Sequence, residues 1–166
     1  MDQEHFLRSR LFDVYIGDWD RHEDQWRWAG FEDGDREIFR AIPRDRDQTF
    51  FLNEGIFPWI SSRKFALRIN QGFKYEIKDM EGLVSQGKWL DRRFLNDLSR
   101  KDWMEVAGEM QANLTDETIE AAISDMPPQI VDIKGDITIS KLKVRRDKLT
   151  EFAETYYSII SKKVDI

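Results

Sequence analysis

The sequence predicts an α+β fold, mainly α-helical, with a short β-hairpin near the N-terminus and a helical C-terminal half. Three observations predict it. Residues 1–60 mix one apolar helical stripe with short strand-forming runs and polar loops. A strong Asp-Gly turn signal sits between two such runs. From residue 85 to 163, apolar side chains recur at helical spacing. The 166 residues suit a single domain spanning 1–166, with a loop-and-hairpin part (1–60) and a helical part (85–163).

Each element has a local reason. Leu7, Leu11, Val14 and Tyr15 share one face of a helix expected over 3–15, and Gly17 follows as its C-terminal stop. Residues 26–31 and 36–42 read as strands joined by Glu32-Asp33-Gly34-Asp35. Trp26, Trp28 and Ile38 supply strand formers, and Pro43 closes the second strand. Between Phe57 and Gly87 the signals are mixed; Pro58 suits a first helical turn, and Gly72, Gly82 and Gly87 punctuate the rest. Leu90, Phe94 and Leu98 step by four. Ser99 and Asp102 have capping-box spacing ahead of a stripe from Trp103 to Leu114. Thr115 caps the next helix, and Pro127-Pro128 stops it. A last helix is expected over roughly 140–162, with Lys141 to Lys148 as a basic, solvated face.

Composition narrows the function classes. With 40% hydrophobic and 13% aromatic residues the chain is not a disordered tail. No apolar run approaches the ~20 residues of a membrane span, and no signal peptide is read at Met1. A net charge of −6 disfavours general nucleic-acid binding, and the absence of Cys excludes disulfides and thiolate-bound zinc. The acids are concentrated: Asp13 to Asp47 holds 11 acids and 6 arginines, with three tryptophans among them.

Two polar segments flank the hairpin, Asp18 to Gln25 and Arg44 to Gln48. Antiparallel strands bring their outer ends together, so Asp20, Gln25, Asp45 and Asp47 are expected to meet despite about 25 residues of separation. A carboxylate near a substrate hydroxyl, with an amide and a carboxylate oxygen for Mg²⁺, is what phosphoryl transfer needs. The blander expectation is that these acids pair with Arg21, Arg44 and Arg46. The Asp45-Arg46-Asp47 triplet also matches the Asp-x-Asp of metal-dependent glycosyltransferases, but one upstream helix does not supply the βαβ pattern they use.

Asp20-Arg21-His22-Glu23-Asp24-Gln25-Trp26 resembles the catalytic loop of atypical kinases: the phosphatidylinositol, secretory-pathway casein and HipA-type kinases. Ile42-Pro43-Arg44-Asp45-Arg46-Asp47-Gln48-Thr49-Phe50 is similar to the metal-binding segment of CotH-type kinases. The resemblance implies a kinase C-lobe-like fold, with Asp20 catalytic, Gln25 and Asp45 or Asp47 holding Mg²⁺, and Arg21 and His22 organising the loop. Gln25 stands where those families carry Asn. The first Lys is Lys64 and no Gly-rich loop occurs, so ATP binding is expected to need an N-lobe from a longer parent polypeptide. Over most of its length the chain resembles a segment of large bacterial cell-envelope proteins that carry a metallophosphoesterase domain. That likeness implies a parent at the envelope with an unknown substrate.

Overall fold

A computed structural model describes residues 1–52 and 71–162. The first helix, α1 (Gln3–Ile16), begins with the Asp2 side chain accepting from the His5 backbone N–H. It ends at Gly17, whose φ of 77° is left-handed. A Cβ at Gly17 would also lie 2.9 Å from the Phe73 ring, so both backbone and space require glycine there. A 3₁₀ turn (Glu23–Gln25) leads into β1 (Trp26–Asp33), which pairs antiparallel with β2 (Arg36–Pro43). The strands run longer than the sequence pattern indicates: Glu32 and Asp33 join the ladder, and the link shortens to Gly34-Asp35.

The remaining elements are helices: α2 (Met80–Leu83), α3 (Lys88–Phe94), α4 (Arg100–Asn113), α5 (Asp116–Ser124), α6 (Pro128–Asp147) and α7 (Leu149–Ile160). The fold is therefore α+β and mostly helical, with one two-stranded sheet among the described residues. Ser99 and Asp102 form a capping box at α4, and Thr115 caps α5. The expected helical turn at Pro58 lies outside the described residues.

The C-terminal helix departs from its expected extent. Pro127-Pro128 ends one helix and also begins α6, with Pro128 in the first turn. The chain then breaks at Lys148 into two helices. The first half of α6 escapes periodicity reading because its isoleucines face outward: Ile130, Ile133 and Ile137 are 51%, 73% and 45% exposed. The expected solvated basic face is also revised. Lys143 pairs with Asp116 and Glu120, Arg146 with Asp116, and Lys148 with Glu76.

One residue of that stripe, Arg145, is buried. Its guanidinium donates to the carbonyls of Val14 (2.6 Å), Tyr15 (2.7 Å) and Lys74 (2.8 Å). The first two lie in the last turn of α1, where the helix dipole favours a cation; Val14 also accepts from the Gly17 N–H. The Phe73 ring lies beneath the guanidinium at 4.8 Å. Burial pushes the Arg145 pKa down to about 10, which leaves it charged at neutral pH.

The core is the meeting of α1, α4 and α7. Phe6, Leu7, Leu11, Trp103, Leu149, Ala153 and Tyr156 are fully buried. The hairpin is peripheral: in β1 only Trp26 is fully buried, and in β2 only Ala41. Trp26 stacks near Trp28 and packs against Phe6, which anchors the base of the hairpin to α1.

Replacing Arg145 by Met should cost about 3 kcal/mol, because it removes three hydrogen bonds and leaves the buried Tyr15 carbonyl without its guanidinium donor; urea unfolding of both proteins measures it. The acid limb of stability has an identifiable source. Ser99 holds the Asp102 carboxyl below its usual range, and Arg146 followed by Lys143 does the same for Asp116. Their contribution is complete above the ordinary Asp value of about 3.9 and is lost as pH falls through the lowered folded values. Melting curves between pH 5 and pH 2 should therefore drop less steeply for Asp102→Asn and Asp116→Asn than for the parent sequence.

Candidate functional site

The two polar segments do lie side by side at the open end of the hairpin. Trp26 pairs with Pro43, and the Arg44 N–H donates to the Gln25 carbonyl at 2.8 Å. Arg21 ties them further. It is fully buried, and its guanidinium donates to the backbone carbonyls of Arg44 and of Asp45, the latter at 2.9 Å. The same group is hydrogen-bonded to the Asp18 carboxylate, and its Nε lies 3.2 Å from Asp13 Oδ2, close enough for charge attraction.

Asp13 is the hub of a buried ion network. Its carboxylate is wholly inaccessible and meets Arg10 at 3.2 Å, Arg21 at 3.2 Å and Arg46 at 3.1 Å. Arg10 continues to Asp91 through Nε and Nη2, at 2.7 and 3.1 Å. The Tyr156 hydroxyl donates to Asp91 and accepts from Arg10 at 3.0 Å. Burial holds the Tyr156 phenol well above its ordinary pKa, so it remains a donor. Three arginines face three aspartates (Asp13, Asp18 and Asp91), a balance that buried charge demands. Burial pushes the Asp18 carboxyl upward against the pull of Arg21. At Gly87, a Cβ would sit 2.5 Å from Arg10 Nη2 and 3.1 Å from the Arg21 carbonyl, so this approach requires glycine.

The candidate catalytic and metal-binding residues lie outside this network. Asp20 is partly exposed; its carboxylate faces Gln86 Nε2 at 3.5 Å and His22 Nε2 at 3.9 Å. Gln25 is half-buried, with its amide nitrogen 3.5 Å from His22 Nε2. Asp45 and Asp47 are exposed, and no arginine pairs with Asp20, Asp45 or Asp47 among the described residues. Of the expected partners, Arg21 and Arg46 are committed to Asp13 and Asp18, and Arg44 is exposed with no carboxylate partner among the described residues. The second segment is strained: Asp45 has φ 47° and Phe50 has φ 58°. The left-handed region is tolerable for Asp and costly for Phe. Phe50 is held there by its packing on Phe73, with ring centroids at 4.9 Å, and by its N–H to the Ile16 carbonyl.

The donor types at Gln25, Asp45 and Asp47 suit Mg²⁺, which accepts one or two protein carboxylates and keeps several waters. Among the described residues, no three of His, Asp and Glu converge as a metal-binding group. Asp13, Asp91 and Arg10 went unnoticed in the sequence. A signal existed for two of them: Arg10 and Asp13 sit among Leu7, Leu11 and Val14 at helical spacing, and charges within an apolar stripe mark a buried pair. Asp91 carries no such mark.

Removing Arg21 and removing Arg46 should differ sharply. Arg21→Met leaves the buried Asp18 carboxylate without its cation, takes one of three arginines from Asp13, and should cost about 3–5 kcal/mol. Arg46, one-third exposed, leaves Asp13 with two other arginines, so Arg46→Met should cost about 1 kcal/mol. Chemical denaturation checks the order, and equal losses would contradict the network as described. Compared with protein-family models, curated proteins and solved structures, the chain matches none of them.

Proposed function

We propose that the chain is the C-lobe-like part of an atypical kinase fold whose Mg²⁺-dependent phosphotransfer site is completed by a nucleotide-binding lobe in a longer parent polypeptide. The observation that carries this reading is selective pairing. Asp13 and Asp18 take Arg10, Arg21 and Arg46, while among the described residues no arginine pairs with the Asp20, Asp45 or Asp47 carboxylates. Backbone strain at Asp45 and Phe50 adds to it, since strain persists where surroundings enforce a particular geometry.

In this reading Asp20 accepts the proton of the attacking hydroxyl or positions it. Gln25 and Asp45, or Asp47 in its place, would hold a Mg²⁺ that neutralises phosphate charge. Arg21 acts through the backbone, holding the two loops at one separation, and His22 braces Asp20 and Gln25. The substrate hydroxyl and the ATP site belong to the parent, for which the resemblance implies a place in the cell envelope. A second reading, a non-catalytic interaction module, draws on the arginine pairing of Asp13 and Asp18 and on the absence of a metal-binding group among the described residues.

Mn²⁺ in place of Mg²⁺ separates the two in the isolated chain. The first reading expects paramagnetic broadening centred on the Gln25 side-chain amide and the Asp45 and Asp47 backbone amides, lost in Asp45→Asn/Asp47→Asn. The second expects no localised broadening. In the parent, Asp20→Ala should lower phosphotransfer from Mg²⁺-ATP by about 100-fold or more without changing the melting temperature. Unchanged turnover removes Asp20 from the chemistry.

A further inference from the structure

The two edges of the hairpin differ. Its two-residue loop, Gly34-Asp35, makes Asp33 and Arg36 a hydrogen-bonded pair, and such pairs alternate along an antiparallel ladder. The backbone groups of Arg27, Ala29 and Phe31 therefore point at β2, and those of Trp28, Gly30 and Glu32 point away from it. The same alternation turns the Phe39 and Ala41 carbonyls outward from β2, and both are occupied. Phe39 accepts from the Asp2 N–H at 2.9 Å, and Ala41 is hydrogen-bonded to His5 Nε2 at 3.0 Å. On the β1 edge, the backbone groups of Trp28, Gly30 and Glu32 have no partner among the described residues.

An open edge is a template for another strand, and proteins ordinarily guard one with Lys, Pro or a bulge. β1 contains neither Lys nor Pro, and its register with β2 is unbroken by a bulge. Residues 30–37 are all exposed, so the outer half of the hairpin is a bare two-stranded ribbon, marginally stable in water.

The charges of β1 fit a second copy of itself. Arg27 and Asp33 lie near its two ends, exposed, and neither has an ion-pair partner among the described residues. Two β1 strands related by a two-fold axis keep most of their length paired when centred on Ala29, Gly30 or Phe31. Only centring on Gly30 sets Arg27 opposite the second copy's Asp33. Centring on Ala29 sets Arg27 opposite Phe31, and centring on Phe31 sets Asp33 opposite Ala29. In the Gly30 register the outward groups of Trp28 meet those of Glu32. Arg27 and Asp33 then form a pair without backbone bonds, the kind whose side chains approach most closely.

We infer that the open edge of β1 pairs antiparallel with the β1 edge of a second copy of this chain, giving one four-stranded sheet with Gly30 on the two-fold axis. The outer edges of that sheet are the two β2 strands, already met by Asp2 and His5, so assembly closes at two copies. Across the join, exposed Phe31 is covered by the second copy's Ala29. None of the loop residues around Asp20 takes part.

Sedimentation equilibrium, with amide hydrogen exchange as a second readout, tests this pairing. The parent sequence should dimerise with a dissociation constant below about 1 mM. The Trp28, Gly30 and Glu32 amides should gain about 10-fold or more protection as the dimer fills. Arg27→Glu and Asp33→Arg, each alone, set like charges opposite one another and should weaken association by about 10-fold or more. An equimolar mixture of these two variants restores both opposite-charge pairs and should dimerise like the parent. Glu32→Pro removes an outward N–H that the hairpin does not use, and should weaken association while the far-UV spectrum stays unchanged. A dimer whose Trp28, Gly30 and Glu32 amides stay unprotected, or a mixture no tighter than its components, would overturn the pairing. A chain still monomeric at about 1 mM would overturn it too, leaving the edge to an extended segment of another protein.

Discussion

The carboxylate of Asp13 is the constraint on which the rest of the structure depends. It is buried on α1, and a lone buried carboxylate is too costly to persist. Its two oxygens gather guanidinium groups from α1, from the first loop and from the segment after the hairpin. Arg10 then reaches α3 through Asp91 and α7 through Tyr156. Five separate stretches of chain thus meet around one charge-balanced cluster. Such a cluster adds little net stability over an apolar core of the same shape, but it is specific, since each misplacement strands a charge. Glycine at position 87 follows from the same geometry, because Arg10 occupies the space a side chain would need.

Helix α1 serves as the axis of this arrangement. Its apolar face supplies Phe6, Leu7 and Leu11 to the core, and its C-terminal carbonyls are closed by Arg145 from α6. The last carbonyl of the helix also receives the Phe50 N–H, so the strained second loop hangs from the same helix end. Arginine rather than lysine suits these positions, because a planar guanidinium reaches several acceptors at fixed angles. The candidate site residues sit on the rim of this frame. Their loops are held by buried arginine bonds to backbone, while the Asp45 and Asp47 carboxylates stay exposed and that of Asp20 partly so.

Much of the local structure was legible. Asp33-Gly34 marked the hairpin, Gly17 the end of α1, Ser99 with Asp102 the start of α4, and Thr115 the start of α5. Each of those signals works within a few residues, so it survives without tertiary context. The adjacency of the 18–25 and 44–50 loops was also readable, because an antiparallel pair brings its outer ends together by construction. The outward isoleucines of α6 were not readable as helix, because a helix that buries no stripe leaves no period to detect.

By itself, then, the sequence determined the element types, their caps and the meeting of two acidic loops, since these follow from backbone conformation and short spacings. Only the tertiary structure decided which acid each arginine serves. Arg21 and Arg46, whose expected partners were Asp20, Asp45 and Asp47, fold onto Asp13 and Asp18 instead, and Arg145 turns inward from what reads as a solvated basic stripe. The reason is physical: charge pairing is set by which groups lose their water, and burial is a property of the packed whole rather than of neighbours in sequence.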